Sequence, residues 1–226
     1  NKVLLVHLKM TGQLVWRLKS WNVKHLKRGV VGGHPTRDWM GELPNKHTRV
    51  IFNLVDGSRL FFNDMRIFGW IRVLSGDDWR KMENELPPDV VDERFSLKYL
   101  TRVLSKSTRS VKLVIMDSAK IGGVGNIYAN DALNLAKICP SRRANSLTKK
   151  EVGLLHAAIK EVMRRGIRYG GATYSDFRDT QGLGGKYQEH FLVYKREGET
   201  CLNCGGGIVK TKIGGRGTYY CPECQV

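Results

Sequence analysis

The chain has 226 residues and 41% hydrophobic residues, enough for a substantial core, and carries 38 Lys plus Arg against 21 Asp plus Glu, a formal charge of +17. That balance excludes a disordered tail protein and describes a folded protein with a polyanionic partner. No run of about 18 apolar residues occurs, and Asn1-Lys2-Val3 opens directly into VLLVHL, so neither a membrane span nor a signal peptide is expected. Residues 3 to 74 read as β, with strands expected at 3 to 8, 13 to 18 and within 49 to 64, where Asp56-Gly57 supplies a hairpin turn. Residues 19 to 47, with Gly32-Gly33, Pro35 and Pro44, are too long and irregular for a hairpin loop and read as an excursion from the sheet. Acidic residues and Pro87-Pro88 interrupt the pattern between Asp77 and Asp92, and the domain boundary is placed there.

From Ser96 onward the period becomes helical. Leu97, Leu100, Val103 and Leu104 share one face, and Val152, Leu155, Ile159, Val162 and Met163 share another. Thr148 with Glu151 forms a capping box at the start of the last helix, and Gly170-Gly171 ends it. Between these helices, Gly122-Gly123-Val124-Gly125-Asn126 is a glycine turn feeding a short helix. It is not a dinucleotide fingerprint, because the third glycine of that motif would fall on Tyr128 and the preceding RSVKLVIMD is helical in pattern. Such a turn aims backbone N–H groups and Asn126 at a helix N-terminus, a natural phosphate seat. Lys106, Arg109, Lys112, Lys120, Arg142, Arg143, Lys149 and Lys150 surround it in sequence and are read as a positive surface.

The last segment carries two C-x-x-C pairs, Cys201 with Cys204 and Cys221 with Cys224, separated by sixteen residues. Two such knuckles supply the four thiolates that tetrahedral Zn²⁺ requires, so one structural zinc is expected; Cys139 reads as a core thiol. Gly214-Gly215-Arg216-Gly217-Thr218 forms the tip between the knuckles, with an Arg able to reach a phosphate or a base edge.

Four blocks, HLKMTGQL (7 to 14), RVIFNLVDGSRLFFNDMRIFGW (49 to 70), MDSAKIGGVGNIYANDALNLAKICP (116 to 140) and the stretch from Thr180 through the cysteine knuckles to Gln225, together resemble formamidopyrimidine-DNA glycosylases. The resemblance implies an α+β multidomain protein. It comprises part of an N-terminal β-sandwich (1–76), a linker (77–95), a helix-two-turn-helix domain with a lesion-reading loop (96–195) and a zinc ribbon (196–226). It implies base excision repair of oxidised purines, 8-oxoguanine and formamidopyrimidines, by a bifunctional glycosylase and AP lyase acting through β,δ-elimination. The partner is damaged double-stranded DNA, the protein a monomer without a membrane, and its setting the bacterial cytoplasm and nucleoid.

By the same resemblance Met10, Arg66 and Phe68 fill the gap left by an extruded nucleotide, and Asn126 and Arg216 grip the phosphates beside it. The loop around Tyr174, Ser175, Asp176 and Phe177 reads the extruded purine. The family's N-terminal Pro-Glu pair is replaced by Asn1-Lys2, so no catalytic residue is assigned in this chain, which is expected to lack the first segment of its family and to be inactive alone. Two alternatives stand beside this reading: an endonuclease VIII-type enzyme for oxidised pyrimidines, and a non-catalytic, zinc-dependent binder of abasic or kinked DNA. The Met10, Arg66, Phe68 set and the long loop before the ribbon favour the purine enzyme.

Overall fold

The computed structural model describes residues 1–19, 30–33, 42–172 and 185–226. The chain divides into two compact units, one of Asn1–Asn84 with Ala172–Lys186 and the other of Glu85–Gly171 with Tyr187–Val226. Among the described residues no helix is long and apolar enough to cross a membrane.

The first unit is built on two antiparallel sheets. Strands β1 (Lys2–His7) and β6 (Trp70–Ser75) form a ribbon in the register Lys2↔Ser75 to His7↔Trp70. A four-stranded sheet has the order β3-β2-β5-β4, from β2 (Gly12–Arg17), β3 (Val30–Gly33), β4 (Thr48–Asn53) and β5 (Arg59–Asp64). Among its described side chains Val15, Phe61 and Phe62 are buried. The β4–β5 turn closes as its sequence requires: Asp56 accepts from the Ser58 N–H and hydroxyl at 2.9 and 2.7 Å, and Gly57 adopts φ +79°.

Two expectations change here. Residues 19 to 47 are not wholly an excursion, because Val30–Gly33 returns to pair with β2, Gln13 opposite Gly33 and Trp16 opposite Val30. Across the start of the expected linker, residues Gly76–Glu85 form helix α1. The acidic residues that read as an interruption occupy its first turn, where Asp77 and Asp78 complement the positive end of the helix dipole and the Ser75 hydroxyl accepts from the Asp78 N–H at 3.1 Å.

The second unit is helical, with a terminal ribbon. Helices α2 (Leu97–Ser105), α3 (Val111–Ile115), α4 (Asn126–Leu135) and α5 (Lys149–Arg168) bury Leu100, Leu104, Val114, Ile115, Leu133, Leu155, Ile159 and Val162. Leu97, expected on the same buried face, is exposed. The capping box forms as read: the Glu151 N–H donates to Thr148 Oγ1 at 3.3 Å, and the Thr148 N–H to Glu151 Oε2 at 2.7 Å. Strands β7 (Val209–Ile213) and β8 (Arg216–Tyr220) pair through a two-residue turn, with Gly214 and Gly215 at φ +58° and +75°. Positive φ at both central residues matches the right-handed twist of a hairpin, and glycine reaches it without steric cost.

Helix α4 is the ribbon's seat. Its inward face carries Asn130, Asp131 and Asn134, all fully or almost fully buried, and each is satisfied by a distant part of the chain. Asn130 Oδ1 accepts from the Tyr219 N–H at 2.9 Å, and the Asn134 amide donates to Gln225 Oε1 at 2.9 Å. Asp131 accepts from the Val193 N–H at 3.1 Å and the Tyr187 hydroxyl at 3.0 Å. Burial pushes the Asp131 carboxyl up to about 6, while the backbone N–H groups of Val193, Leu192 and Tyr194 and the Tyr187 hydroxyl pull the other way. Cys139 is not a core thiol: it is partly exposed, with its sulfur 3.2 Å from Ser141 Oγ.

Candidate functional site

The ribbon brings the four predicted cysteines together. Their sulfurs all lie within 4.8 Å of one another, with Cys201 to Cys224 at 3.8 Å and Cys204 to Cys221 at 3.5 Å. A tetrahedron with zinc–sulfur bonds of about 2.3 Å has sulfur edges of about 3.8 Å, so the set fits Zn²⁺ and no other donor is needed. These four residues hold one structural zinc ion.

The glycine turn lies on the same unit. Gly123 takes φ +87°, a backbone conformation that side-chain-bearing residues rarely adopt, and a Cβ there would lie 3.0 Å from the Asp89 carboxylate oxygens, which would have to give way. Gly125 caps α4 without a side-chain acceptor, leaving the first helical N–H groups free of that kind of cap. Asn126 reaches the ribbon: its amide donates to the Gly217 carbonyl oxygen at 3.1 Å, while its own Oδ1 is buried without a hydrogen-bond partner among the described residues. Arg216, one residue before that carbonyl, is exposed at the start of β8. The fold thus brings the two predicted phosphate-gripping residues to one stretch of ribbon, Asn126 bonding the residue that follows Arg216.

Lys112, expected among the surface cations, is instead fully buried. Its Nζ donates to the Gly217 carbonyl oxygen at 3.1 Å and to Thr218 Oγ1 at 2.7 Å. Burial, followed by the neighbouring Arg216 charge, lowers its ammonium to about 8. One signal was present in sequence, a lone Lys inside the apolar pentapeptide VKLVI. Two other cations of that group are neutralised locally: Arg142 bonds both Glu151 carboxylate oxygens, at 2.5 and 3.2 Å, and Arg109 pairs with Asp117 at 3.0 Å.

In the first unit Met10 and Phe68 do not pack in a core. They are 65% and 58% exposed, although both are large and apolar. Arg66 joins them, its guanidinium 5.0 Å from the Phe68 ring centroid and its Nη1 3.8 Å from the Met10 sulfur. The fold therefore assembles, from two loops more than fifty residues apart, a solvent-facing cluster of one flexible thioether, one cation and one aromatic ring. Asp64, which no sequence pattern marks, lies beneath this cluster and is buried.

Tyr174, Ser175, Asp176 and Phe177 of the expected lesion loop lie outside the described residues. At the base of that segment the Tyr187 N–H donates to the Gly171 carbonyl oxygen at 3.0 Å.

The sequence matches three family models: the formamidopyrimidine-DNA glycosylase N-terminal domain over residues 1–71, the formamidopyrimidine-DNA glycosylase H2TH domain over 86–178, and the zinc finger found in FPG and IleRS over 198–226. The formamidopyrimidine-DNA glycosylase of Pelotomaculum thermopropionicum is 41% identical over 224 residues, 98% of this chain and 74% of that protein. The crystal structure of the MutM (Fpg) protein from Thermus thermophilus superposes with a TM-score of 0.76 at 34% identity, over 99% of this chain and 76% of that one. Lactococcus lactis Fpg in complex with DNA containing an abasic site gives 0.75 at 30% identity, over 99% and 75%. The N-terminal-domain model matches from residue 1 of this chain, which spans about three quarters of the length of these relatives. Three consecutive domain matches in the family's order, a relative above 40% identity along almost the whole chain and a four-cysteine zinc centre place this chain in the formamidopyrimidine-DNA glycosylase family of base excision repair enzymes.

Proposed function

We propose that this protein engages damaged duplex DNA, with oxidised purines, 8-oxoguanine and formamidopyrimidines, as the lesions its family machinery removes before β,δ-elimination at the abasic site. The observation that carries the reading is the exposed Met10, Arg66, Phe68 cluster. Extruding a nucleotide leaves an unstacked hole, and an apolar wedge with an adjacent cation can fill it while offering donors to the orphaned base. Asn126 and Arg216 supply backbone contacts of the kind that fix register without reading sequence. The abasic-site complex of the Lactococcus lactis relative supports such a substrate. The protein acts as a monomer on the bacterial nucleoid, and residues 174 to 177 contact the extruded base.

Cleavage needs an amine that attacks the sugar C1′ and a neighbouring acid to move protons. No residue here is assigned to either role, and these 226 residues are expected to bind lesion duplex without cutting it. Borohydride trapping and strand-nicking on 8-oxoguanine, formamidopyrimidine, oxidised-pyrimidine and abasic duplexes test this. A covalent adduct from residues 1–226 would overturn the expected inactivity, and a preference for oxidised pyrimidines would move the assignment to the endonuclease VIII type. Equal binding of damaged and intact duplex would overturn the lesion-recognition reading itself.

A further inference from the structure

Asp64 is the last residue of β5 and is almost fully buried beneath the exposed cluster. Its Oδ1 accepts from the Thr11 hydroxyl at 2.5 Å and from the Arg66 N–H at 3.2 Å; its Oδ2 accepts from the Gly69 N–H at 2.7 Å. Thr11 follows Met10, and Arg66 and Gly69 bracket Phe68. One carboxylate therefore ties together the two loops that carry the three cluster residues. The loops are themselves tightly wound. Lys9 and Ile67 adopt φ +52° and +58°, a region non-glycine residues rarely occupy, and Thr11 Oγ1 also accepts from the Arg66 N–H at 3.2 Å. Gly69 leaves the carboxylate its room, since a Cβ there would lie 2.7 Å from the Phe62 ring and 3.0 Å from Asp64 Oδ2.

Asp64 is also locked from behind. Its backbone N–H donates to the His47 carbonyl oxygen at 2.9 Å, and its own carbonyl oxygen accepts from Arg49 Nε at 2.9 Å. Burial would raise the Asp64 carboxyl, but the Thr11 hydroxyl and the N–H groups of Gly69, Arg66 and Phe68 together hold it below the usual carboxylate range. An acceptor-only group is what this place requires, because four donors converge on it and a donor among them would leave at least one unpaired.

We propose that Asp64 is a positioning residue for lesion recognition: its carboxylate sets the relative geometry of Met10, Arg66 and Phe68, so that the three present one preformed wedge to an unstacked base step. This rests on the gap-filling reading of that cluster. Preformation matters because three exposed side chains on independent loops would each lose rotamer and backbone freedom on entering the duplex. A shared anchor removes much of that cost from the binding step.

The test measures affinity of the full 226-residue chain for a duplex containing a tetrahydrofuran abasic-site analogue and for the same duplex undamaged, and takes the ratio. Asp64→Asn keeps the shape but replaces one acceptor by a donor. It is expected to lower the ratio about tenfold or more while leaving affinity for undamaged duplex within about twofold. In a Met10→Ala/Phe68→Ala background the same substitution should change the ratio less than about twofold, because the groups it positions are gone. Should Asp64→Asn fail to fold, Thr11→Val removes one donor to the carboxylate and should lower the ratio, whereas Thr11→Ser restores the hydroxyl and the ratio. A preserved ratio in Asp64→Asn and Thr11→Val, or an undiminished effect of Asp64→Asn without the wedge, overturns the proposal while leaving the wedge intact. An unchanged ratio in Met10→Ala/Phe68→Ala alone overturns the gap-filling reading, and this proposal with it.

Discussion

Asn126, the first residue of α4, donates its side-chain amide to the Gly217 carbonyl oxygen of the ribbon at 3.1 Å. Lys112 Nζ donates to the same oxygen at the same distance, so one acceptor joins the turn, helix α3 and the strand that begins with Arg216. A carbonyl oxygen has two lone pairs and can accept both donors. Arg216 is thus held near Asn126 through the ribbon backbone on which both donors converge.

Lys112 makes this junction sensitive to pH. Its ammonium is lowered from 10.5 to about 8 by burial and the nearby Arg216 charge, so between about 8 and 10.5 the unfolded chain holds more protons than the folded one. Stability contributed by this site therefore rises with pH across that window, and below about pH 8 the buried charge burdens the fold. Comparing wild type with Lys112→Met by urea unfolding at about pH 7 and about pH 9.5 should show the difference in their stabilities changing by on the order of 2 kcal/mol, wild type gaining at the higher pH. An identical difference at both pH values would place the Lys112 proton elsewhere on the scale.

Zinc is expected to support the ribbon more than apolar packing does. Its buried hydrophobic cluster is Val193, Cys201, Ile208, Tyr219 and Cys221, and two of these five are metal ligands. Metal analysis should find one Zn²⁺ per chain. Cys204→Ser, or chelation, should abolish ordered β7–β8 pairing and weaken DNA binding by more than about tenfold, since binding energy and folding energy are one quantity in such a small element. A metal-free protein with an intact ribbon by amide hydrogen exchange would contradict this.

Phe68 offers a cleaner separation of stability from function. A buried Phe truncated to Ala costs about 3–5 kcal/mol of stability, whereas a side chain left 58% exposed has much less to lose. Phe68→Ala is expected to cost less than about 1 kcal/mol in unfolding yet to weaken binding to abasic duplex about tenfold or more. Thermal melts and affinities measured on the same preparation decide the matter. A large stability loss with unchanged affinity would identify a core residue.

Arg216 and Asn126 should differ although they meet beside Gly217. Arg216 is exposed, so Arg216→Ala should leave stability nearly unchanged, weaken binding on all sequences alike and reduce the slope of log K against log salt by about 0.9. Asn126→Ala removes a hydrogen bond to Gly217 and should also cost about 1 kcal/mol of stability. Losses with Arg216→Ala that depend on base sequence would mean that it reads a base edge.

What was legible from residue order alone is what short-range chemistry controls. Two C-x-x-C pairs announced the zinc site, Thr148 with Glu151 announced the start of α5, Asp56-Gly57 announced a hairpin, and four blocks in a fixed order announced the family. In each case the interacting residues are close in sequence or their type and spacing carry the constraint. Packing settled the remainder. Whether Lys112 faces water or the interior depends on Gly217 and Thr218, more than a hundred residues later, and helical periodicity over five residues does not resolve it. That Asp64 anchors two loops depends on Thr11, fifty-three residues earlier, reaching it through the β2–β5 register that sets Gly12 opposite Asp64. Val30–Gly33 joins the sheet because β2 offers it an edge, not because its composition demands a strand. Burial and hydrogen-bond partnership belong to the packed chain, and a residue's own neighbours in sequence carry only part of the information that assigns them.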